Sequence, residues 1–383
     1  MESERRKRRR RKRRRNLIIF ISVLVIVFLG YFSVNNQFVR GLYYKVANPV
    51  SDNNPVIELG EDNTSQYISY KNSIVMFSKY SMSAFNSAGD YIYEKNYNNI
   101  SSYVSQFSSL KFKKSDKYIA AYDEKGKDFV IFDNGGIFVN MKTEFPIVLV
   151  RPFDDGTFIV VTEDNSAKNK VEIYNKKGEK SFVWHSGVNY ITDAILCSNS
   201  EKLVITSVDM ASGTINSKMT YFDISSNVPY CENTIDDALI TNLELVSSGK
   251  IIALSDNGLY YVLLDGEIIN NYSFDDKMLE KFKFMKNGTI VMSFKGNGGI
   301  KSNIEIVNKD GKKIGEYESD DVVKYIDVKN NNILICKNKN VDIVSRKGFL
   351  IRTIEYDKEL NRAFFIGKNN IVLIGNSEVR IVN

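Results

Sequence analysis

A five-residue pattern recurs eight times between residues 82 and 383. It runs apolar, variable, apolar, apolar, and then Asn, Asp or Ser. The copies are MSAFN (82–86), FVIFD (129–133), VEIYN (171–175), MTYFD (219–223), YVLLD (261–265), IEIVN (304–308), VDIVS (341–345) and VRIVN (379–383). Successive copies lie 37 to 48 residues apart, about 42 on average, and a repeat of this length is typical of a β-propeller blade.

Each copy follows a polar turn and a second apolar run, so one unit holds four strands joined by tight hairpins. Turns such as Asp155-Gly156 and Asn287-Gly288 suit these hairpins because Gly and Asn tolerate a positive φ. A solenoid uses shorter rungs, and a sandwich does not repeat eight times. The sequence therefore predicts an all-β fold, an eight-bladed β-propeller over residues 54–383. Seven blades is the alternative if the short units that end at Ser345 and Asn383 are not both full blades.

The last unit lacks its fourth strand, because the sequence reaches Asn383 at the close of the third. A propeller that does not close leaves sheet edges exposed. The segment Val56–Leu59 (VIEL) lies just before the first full unit and belongs to none of the units. We therefore predict that it pairs with Val379–Val382 and supplies the outer strand of the eighth blade.

The N-terminus combines a basic run with a long apolar segment. Eleven consecutive basic residues, Arg5–Arg15, precede Leu17–Val34, which contains no charged side chain. A helix of that length spans about 27 Å, close to the thickness of the hydrocarbon core of a bilayer. The positive-inside rule then predicts a cytoplasmic segment 1–15, a transmembrane helix 16–34, a linker 35–53 and an extracytoplasmic propeller. A cleaved signal peptide is the rival interpretation, but no small-x-small site follows the apolar segment.

Outside residues 1–15 the chain is close to neutral, with 41 basic and 44 acidic side chains. This balance excludes a body built to bind nucleic acid. A hydrophobic content of 43% excludes disorder over most of the length.

The motifs VEIYNKKG, IEIVNKDG and VDIVSRKG belong to these degenerate repeats. With the basic N-terminus, the single apolar segment and an Asn/Lys/Ile-rich composition, the chain resembles the domain-of-unknown-function family 5711 of Gram-positive bacteria. The resemblance covers nearly the whole chain, implies a membrane-anchored β-propeller-like protein, and carries no catalytic residues with it. No Trp-Asp ends the third strands, which argues against a true WD40 protein. The single tryptophan, Trp184, argues against a quinone-binding propeller.

Residues that commonly carry chemistry are few. The only histidine, His185, cannot form a multi-histidine metal site and is not accompanied by a nucleophile motif. Cys197, Cys231 and Cys336 form no C-x-x-C pair and are expected to act as small buried apolar residues, with a Cys197–Cys231 bridge left open. No phosphate-binding loop or dinucleotide fingerprint occurs. We therefore expect no metal, no organic cofactor and no enzymatic activity.

Acidic and basic residues are predicted to lie on opposite faces of the propeller. Three consecutive blade-to-blade crossings carry paired acids: Asp236, Asp237, Asp275, Asp276, Asp320 and Asp321. The hairpins of the opposite face hold many lysines, including Lys113 and Lys114 and a set predicted to face a membrane: Lys176, Lys177, Lys309, Lys312 and Lys313. We expect the acidic face to bind a protein partner and the basic face to contact anionic lipid or wall polymer. Charged turns that serve only solubility are the alternative.

Taken together, these features predict a non-catalytic binding or scaffold module anchored in the membrane at the cell envelope. A propeller enzyme that cleaves envelope polysaccharide is one alternative. It requires carboxylates in the central funnel, for which the acidic crossing loops are the candidates. A sensor ectodomain is the other alternative, and it would have to signal through a partner because the predicted cytoplasmic segment holds no output domain.

Overall fold

The computed structural model describes residues 56–58, 66–77, 81–86, 88–96, 109–133, 136–197, 200–210, 213–247, 249–367 and 369–382. The predicted cytoplasmic segment, transmembrane helix and linker lie outside these ranges, so they stay predictions. Within these ranges, no helix has the length and apolar character needed to cross a bilayer.

Eight four-stranded antiparallel sheets form the blades of a β-propeller, which confirms the all-β class and eight blades rather than seven. β1 (Val56–Glu58) precedes the first blade. Blades 1 to 4 consist, from inner to outer strand, of β2 (Gln66–Tyr70), β3 (Ser73–Phe77), β4 (Ser81–Phe85) and β5 (Tyr91–Asn96); β6 (Leu110–Lys114), β7 (Ile119–Asp123), β8 (Asp128–Asp133) and β9 (Gly136–Lys142); β10 (Ile147–Pro152), β11 (Phe158–Glu163), β12 (Asn169–Tyr174) and β13 (Lys180–Ser186); and β14 (Tyr190–Cys197), β15 (Lys202–Asp209), β16 (Asn216–Asp223) and β17 (Pro229–Ile235).

The remaining blades follow the same order. Blades 5 to 8 consist of β18 (Ile240–Ser247), β19 (Lys250–Ser255), β20 (Gly258–Leu263) and β21 (Ile268–Ser273); β22 (Leu279–Phe284), β23 (Ile290–Lys295), β24 (Ser302–Val307) and β25 (Lys313–Ser319), with a 3-10 helix (Asn297–Gly299) between β23 and β24; β26 (Tyr325–Lys329), β27 (Asn332–Cys336), β28 (Asn340–Ser345) and β29 (Leu350–Glu355); and β30 (Leu360–Ile366), β31 (Asn370–Gly375), β32 (Glu378–Val382) and then β1.

The connections open on two faces. With the four strands of a blade named A to D from the inside outward, the A–B and C–D hairpins lie on one face, called the hairpin face. The B–C hairpins and the crossings from strand D to strand A of the next blade lie on the other, called the crossing face.

Blade 8 closes the ring by pairing the two ends of the described chain. β1 runs antiparallel to β32, with Val56 opposite Arg380 and Ile57 opposite Val379, which confirms the predicted outer strand. Because β32 ends on the hairpin face, the antiparallel β1 begins there. The chain therefore enters the propeller from the hairpin face.

The second strands form the core between blades, as their uninterrupted apolar sequences predict. All five residues of β7 are buried, as are the last four of β27. Apolar clusters join each blade to the next around the whole ring. The cluster between blades 8 and 1 contains Ile57, Ile74 and Ile374, so ring closure is a matter of packing as well as of strand pairing.

The repeat motifs end in the C–D hairpins. Asn175 Oδ1 accepts hydrogen bonds from the backbone N–H groups two and four residues further along, at 2.9 and 3.1 Å. Asn308 makes the same two bonds in blade 6. The glycine three residues after each Asn, Gly178 or Gly311, has a φ of 78°, a conformation that glycine adopts without strain. The N-x-x-G sequence thus builds the turn.

Carboxylates on the C strands tie neighbouring blades together. In three consecutive interfaces a tyrosine hydroxyl from one blade donates to a carboxylate on the C strand of the next blade, and a lysine pairs with the same carboxylate. We call these contacts interblade latches. They are Tyr272 to Glu305 (2.7 Å) with Lys277, Tyr317 to Asp342 (2.7 Å) with Lys337, and Tyr356 to Glu378 (2.9 Å) with Lys358.

Candidate binding surface and central channel

The predicted acid pairs lie at three successive crossings on the crossing face. Asp236 and Asp237 lie between blades 4 and 5, Asp275 and Asp276 between blades 5 and 6, and Asp320 and Asp321 between blades 6 and 7. The first two pairs are exposed. Asp320 is also exposed, but it forms an ion pair of 2.6 Å with the buried Lys337. The hydrogen bond from Lys337 lowers the pKa of Asp320.

Backbone geometry accounts for part of this acidic pattern. Asp237, Asp275 and Asp276 have φ values of 50°, 50° and 63°. Aspartate is one of the few residues other than glycine that adopt this left-handed conformation readily. The sharp crossings therefore favour aspartate, and the same choice leaves a row of exposed carboxylates on this face.

Exposed large apolar side chains concentrate on the same face. They occur in the crossings and B–C hairpins from blade 3 to blade 7: Val188, Met210, Ile215, Met278, Ile300 and Val322. Val188 is 81% exposed and Ile300 is 70% exposed. In the described loops of the hairpin face, Val228 is the only such side chain. We call these six apolar residues, together with Asp236, Asp237, Asp275 and Asp276, the apolar–acidic surface. Grouped exposed apolar side chains mark binding surfaces.

A groove with a volume of about 390 Å³ opens on this face at blade 5. Its lining includes Tyr260 and Tyr272 beside Asp275 and Asp276. The Tyr272 hydroxyl donates to Glu305 in the interblade latch, which holds the tyrosine ring in place at the side of the groove. The groove therefore offers aromatic surface next to exposed carboxylates.

The predicted basic set is divided between two hairpins of the hairpin face. Lys176 and Lys177 lie in the C–D hairpin of blade 3, and Lys309 and Lys312 lie in that of blade 6, all exposed. Lys313 begins β25 and forms ion pairs with Glu316 at 2.7 Å and Glu305 at 3.5 Å. The structure thus brings Lys309 and Lys312 together, places the blade 3 pair three blades away, and gives Lys313 carboxylate partners.

The predicted separation of charge between the two faces is incomplete. The B–C hairpins also open on the crossing face and add lysines there, such as Lys301. On the hairpin face, Asp310 pairs with Lys250 at 3.2 Å and Asp116 pairs with Lys286 at 2.6 Å. The predicted separation took no account of the B–C hairpins, which share the crossing face.

The central channel contains charged side chains that the sequence analysis did not single out. Arg151 of β10 lies 3.1 Å from the carboxylate of Asp193 in β14, and also donates to the carbonyl oxygen of Ala194 at 2.9 Å. The backbone N–H of Leu243, one blade further on, donates to Asp193 at 2.8 Å. Lys113 reaches the same carboxylate from blade 2, at 3.7 Å. Asp193 therefore links the inner strands of four blades.

Lys113 and Lys114 lie in β6, at the channel, and not in a hairpin as predicted. Burial, followed by the charge of Arg151, lowers the pKa of Lys113 to about 8. Lys114 keeps contact with solvent, but desolvation by the surrounding strands, followed by the charge of Lys283, lowers its pKa to about 8. Burial raises the pKa of Glu244, which also lies among these groups. The inner strands, and not the crossing loops, thus supply the funnel carboxylates.

A signal for these residues was present in the sequence. Arg151 interrupts the otherwise apolar IVLVRP of β10, and Asp193 interrupts YITDAILC of β14. A single charge within an apolar inner strand either faces the channel or has a buried partner. The partners themselves lie on other blades, so only the closed ring identifies them.

His185 is exposed on β13, and its Nδ1 is hydrogen-bonded to the carboxylate of Asp164 in the neighbouring B–C hairpin. Hydrogen bonds from the backbone of Ser166 and from His185 lower the pKa of Asp164. In the part of the chain that the structure describes, no group of three His, Cys, Asp or Glu side chains is placed to hold a metal ion.

All three cysteines are free, and no bridge joins Cys197 to Cys231. Cys197 and Cys336 are buried as predicted, and burial raises the pKa of each thiol to about 12. Cys231 is half-buried on β17.

The sequence matches the family of unknown function DUF5711 over residues 51–383. No protein with a curated description matches it. The C-terminal WD40 domain of Sif2 has a TM-score of 0.60 at 13% identity, over 85% of this chain and 96% of that one. Chaetomium thermophilum Sqt1, solved bound to the N-terminus of ribosomal protein L10, has a TM-score of 0.56 at 12% identity, over 86% and 100%. At such identities the likeness shows the fold alone.

Proposed function

The chain belongs to DUF5711, a family of unknown function, and we propose that it is a non-catalytic binding platform that presents its crossing face to a protein partner at the cell envelope. Residues 16–34 anchor it in the membrane. The observation that carries this proposal is the concentration of exposed apolar side chains beside exposed acid pairs on one face of the ring.

The chemistry of the apolar–acidic surface defines its partner. Met278 and Ile300 offer apolar area to bury, while the carboxylates of Asp275 and Asp276 favour lysine and arginine. The partner is therefore a protein segment in which basic residues alternate with apolar ones. Sqt1, a propeller of similar fold, holds the N-terminus of a ribosomal protein, so a ring of this kind can seat a protein segment.

The entry point of the chain supports this orientation. β1 begins on the hairpin face, so a membrane anchor that precedes Val56 approaches from that side. A linker of residues 35–53 spans at most about 60 Å when extended. In this arrangement the hairpin face, with Lys176, Lys177, Lys309 and Lys312, lies toward anionic headgroups, and the crossing face is directed away from the membrane.

Site-specific photocrosslinking in intact cells tests the binding surface. A photoreactive residue is placed at Met278 or Ile300 on the apolar–acidic surface, or at Ile268 on the outer strand β21. Ile268 is 42% exposed and is the control. We expect a discrete crosslinked product from the first two positions, lost when Asp275→Lys and Asp276→Lys are added. The same product from Ile268, or one that persists in the charge-reversed variant, contradicts the proposal.

Protease added outside intact cells tests the topology separately. We expect the propeller to be digested or released while the basic N-terminus stays protected. Protection of the propeller until the cells are lysed would place it in the cytoplasm and reverse the assignment.

A further inference from the structure

Four cationic side chains converge at the hairpin-face end of the central channel. Lys113 and Lys114 end β6, Arg151 lies near the end of β10, and Lys283 lies near the end of β22. Blades 2 and 6 are opposite each other in a ring of eight. The ion pair between Asp116 and Lys286 spans the same two blades just beyond these strands.

The carboxylates of the channel are bound to two of these cations and to backbone N–H groups. Asp193 binds Arg151 and the backbone N–H of Leu243. Asp327, on β26, accepts the backbone N–H of Phe365 at 2.9 Å. Burial raises the pKa of Glu244, and Arg151, Lys113 and Lys283 act against that shift. Of the four cations, Arg151 and Lys113 thus have a carboxylate within ion-pair distance.

The other two cations, Lys114 and Lys283, form no direct ion pair with a carboxylate of the described residues. Lys114 Nζ donates to the carbonyl oxygen of Ser69 at 3.0 Å. Among the residues that the structure describes, Asp327 and Asp116 act on it electrostatically without forming an ion pair. In the described part of the chain, no acceptor lies within hydrogen-bonding distance of Lys283, and its electrostatic neighbours are Lys114 and Glu244. Two lysines from opposite blades thus repel each other across the channel.

We propose that this end of the channel is a binding site for a small, doubly charged oxyanion of the phosphate type, held by Lys113, Lys114 and Lys283. Each ammonium group has three N–H donors, and charge-assisted hydrogen bonds to phosphate oxygens are among the strongest in proteins. The site is distinct from the apolar–acidic surface and does not depend on the proposed partner.

Binding of such an anion changes the protonation of the site. Lys113 has a pKa of about 8 among Arg151, Asp193 and Glu244. Lys114 has a pKa of about 8 among Lys283, Asp327, Asp116 and Lys286. A bound dianion stabilises the charged form of both lysines, so near pH 8 binding draws protons from the buffer, and affinity falls as the pH rises above that value.

Isothermal titration calorimetry with inorganic phosphate tests the site on the full-length protein in detergent. We expect binding at about pH 7, weaker binding at about pH 9.5, and proton uptake seen as a dependence of the heat on the buffer. Lys114→Gln with Lys283→Gln should weaken binding by about ten- to a hundred-fold. The matched control is Lys125→Gln with Lys127→Gln, which removes two exposed lysines in the B–C hairpin of blade 2, outside the channel and outside both proposed surfaces, and should leave binding unchanged.

The double channel variant should fold, because the substitutions remove like-charge repulsion. Its thermal midpoint without phosphate should equal or exceed that of the parent. A second experiment measures the binding of anionic lipid vesicles to the parent and to the channel variant. Binding of vesicles that requires Lys114 and Lys283, with no response to free phosphate, assigns the phosphate group to a lipid headgroup. Equal binding of both ligands by parent and channel variant, or no binding of either by the parent, overturns the proposal.

Discussion

Gly178 and Gly348 occupy the same position in the C–D hairpins of blades 3 and 7, but their surroundings differ. Both have a left-handed backbone, with φ values of 78° and 84°. A Cβ atom at Gly178 would meet nothing within 4 Å, whereas one at Gly348 would come within 2.0 Å of the backbone oxygen of Glu316 in blade 6. The first glycine serves only the turn, and the second also allows two blades to approach closely.

This difference predicts unequal costs for the same substitution. Gly178→Ala should destabilise the protein by about 1 kcal/mol, the cost of a left-handed alanine. Gly348→Ala should cost roughly 2–5 kcal/mol, because β25 must also move away. Urea denaturation of the two variants measures the difference. Equal free energies of unfolding for the two variants would contradict this prediction, because they would mean that blades 6 and 7 can move apart at position 348 without loss of stability.

At the scale of the strand pair, the interblade latches make stability depend on pH. Burial alone would raise the pKa of Glu305, but hydrogen bonds from Tyr272 and Lys277, with the charge of Lys313, outweigh it and lower the pKa. The pKa of Glu378 is lowered in the same way by Lys358 and Tyr356. Within blade 3, outside the latches, Lys180 and Lys170 lower the pKa of Glu172. These carboxylates stabilise the fold above the pKa of an unfolded glutamate, about 4.3, and the contribution is lost as the pH falls through the lower folded values.

Removal of one latch hydroxyl should therefore have a measurable cost. Tyr272→Phe leaves the ring in place and removes a hydrogen bond to a charged group, worth about 1–3 kcal/mol at neutral pH. Tyr260→Phe is the control, since among the described residues its hydroxyl bonds only the neutral amide of Asn257, at 3.2 Å. Urea denaturation should show the cost of Tyr272→Phe at neutral pH and a smaller cost at about pH 3. A cost that is the same at both pH values would show that Glu305 is not the partner that matters.

How much the sequence predicts differs between strands and sites. The blades follow from patterns within about 42 residues, because alternating turns and apolar runs are local properties. The outer strand of blade 8 also follows, since the last unit is visibly incomplete. The channel cluster does not follow, because Asp116 and Lys286 are 170 residues apart and meet only when the ring closes. Local pattern determines the blades, and ring geometry determines the site.

For the molecule as a whole, stability depends on a closure made by a very short strand. β1 has three residues, each paired with one residue of β32. So short a strand forms few backbone hydrogen bonds, and the packing of its side chains must therefore contribute much of the free energy that keeps the ring closed. Ile57 is 9% exposed and packs in the cluster between blades 8 and 1. Val56, next to it on the same strand, is 46% exposed. The two neighbours form a matched pair for testing closure.

Ile57→Asp should open the ring, whereas Val56→Asp should be nearly neutral. A buried unpaired carboxylate costs several kcal/mol, and loss of β1 frees the edge of β32 and exposes the packed faces of blades 8 and 1. We expect Ile57→Asp to lower the urea midpoint and to make the β1 segment sensitive to limited proteolysis, with Val56→Asp close to the parent on both measures.

Deletion of residues 376–383, which removes β32 itself, should abolish cooperative unfolding. Closure by β1 and β32 would be refuted if the deletion variant unfolded as cooperatively as the parent, because the seven remaining blades would then be stable without the pairing of these two strands.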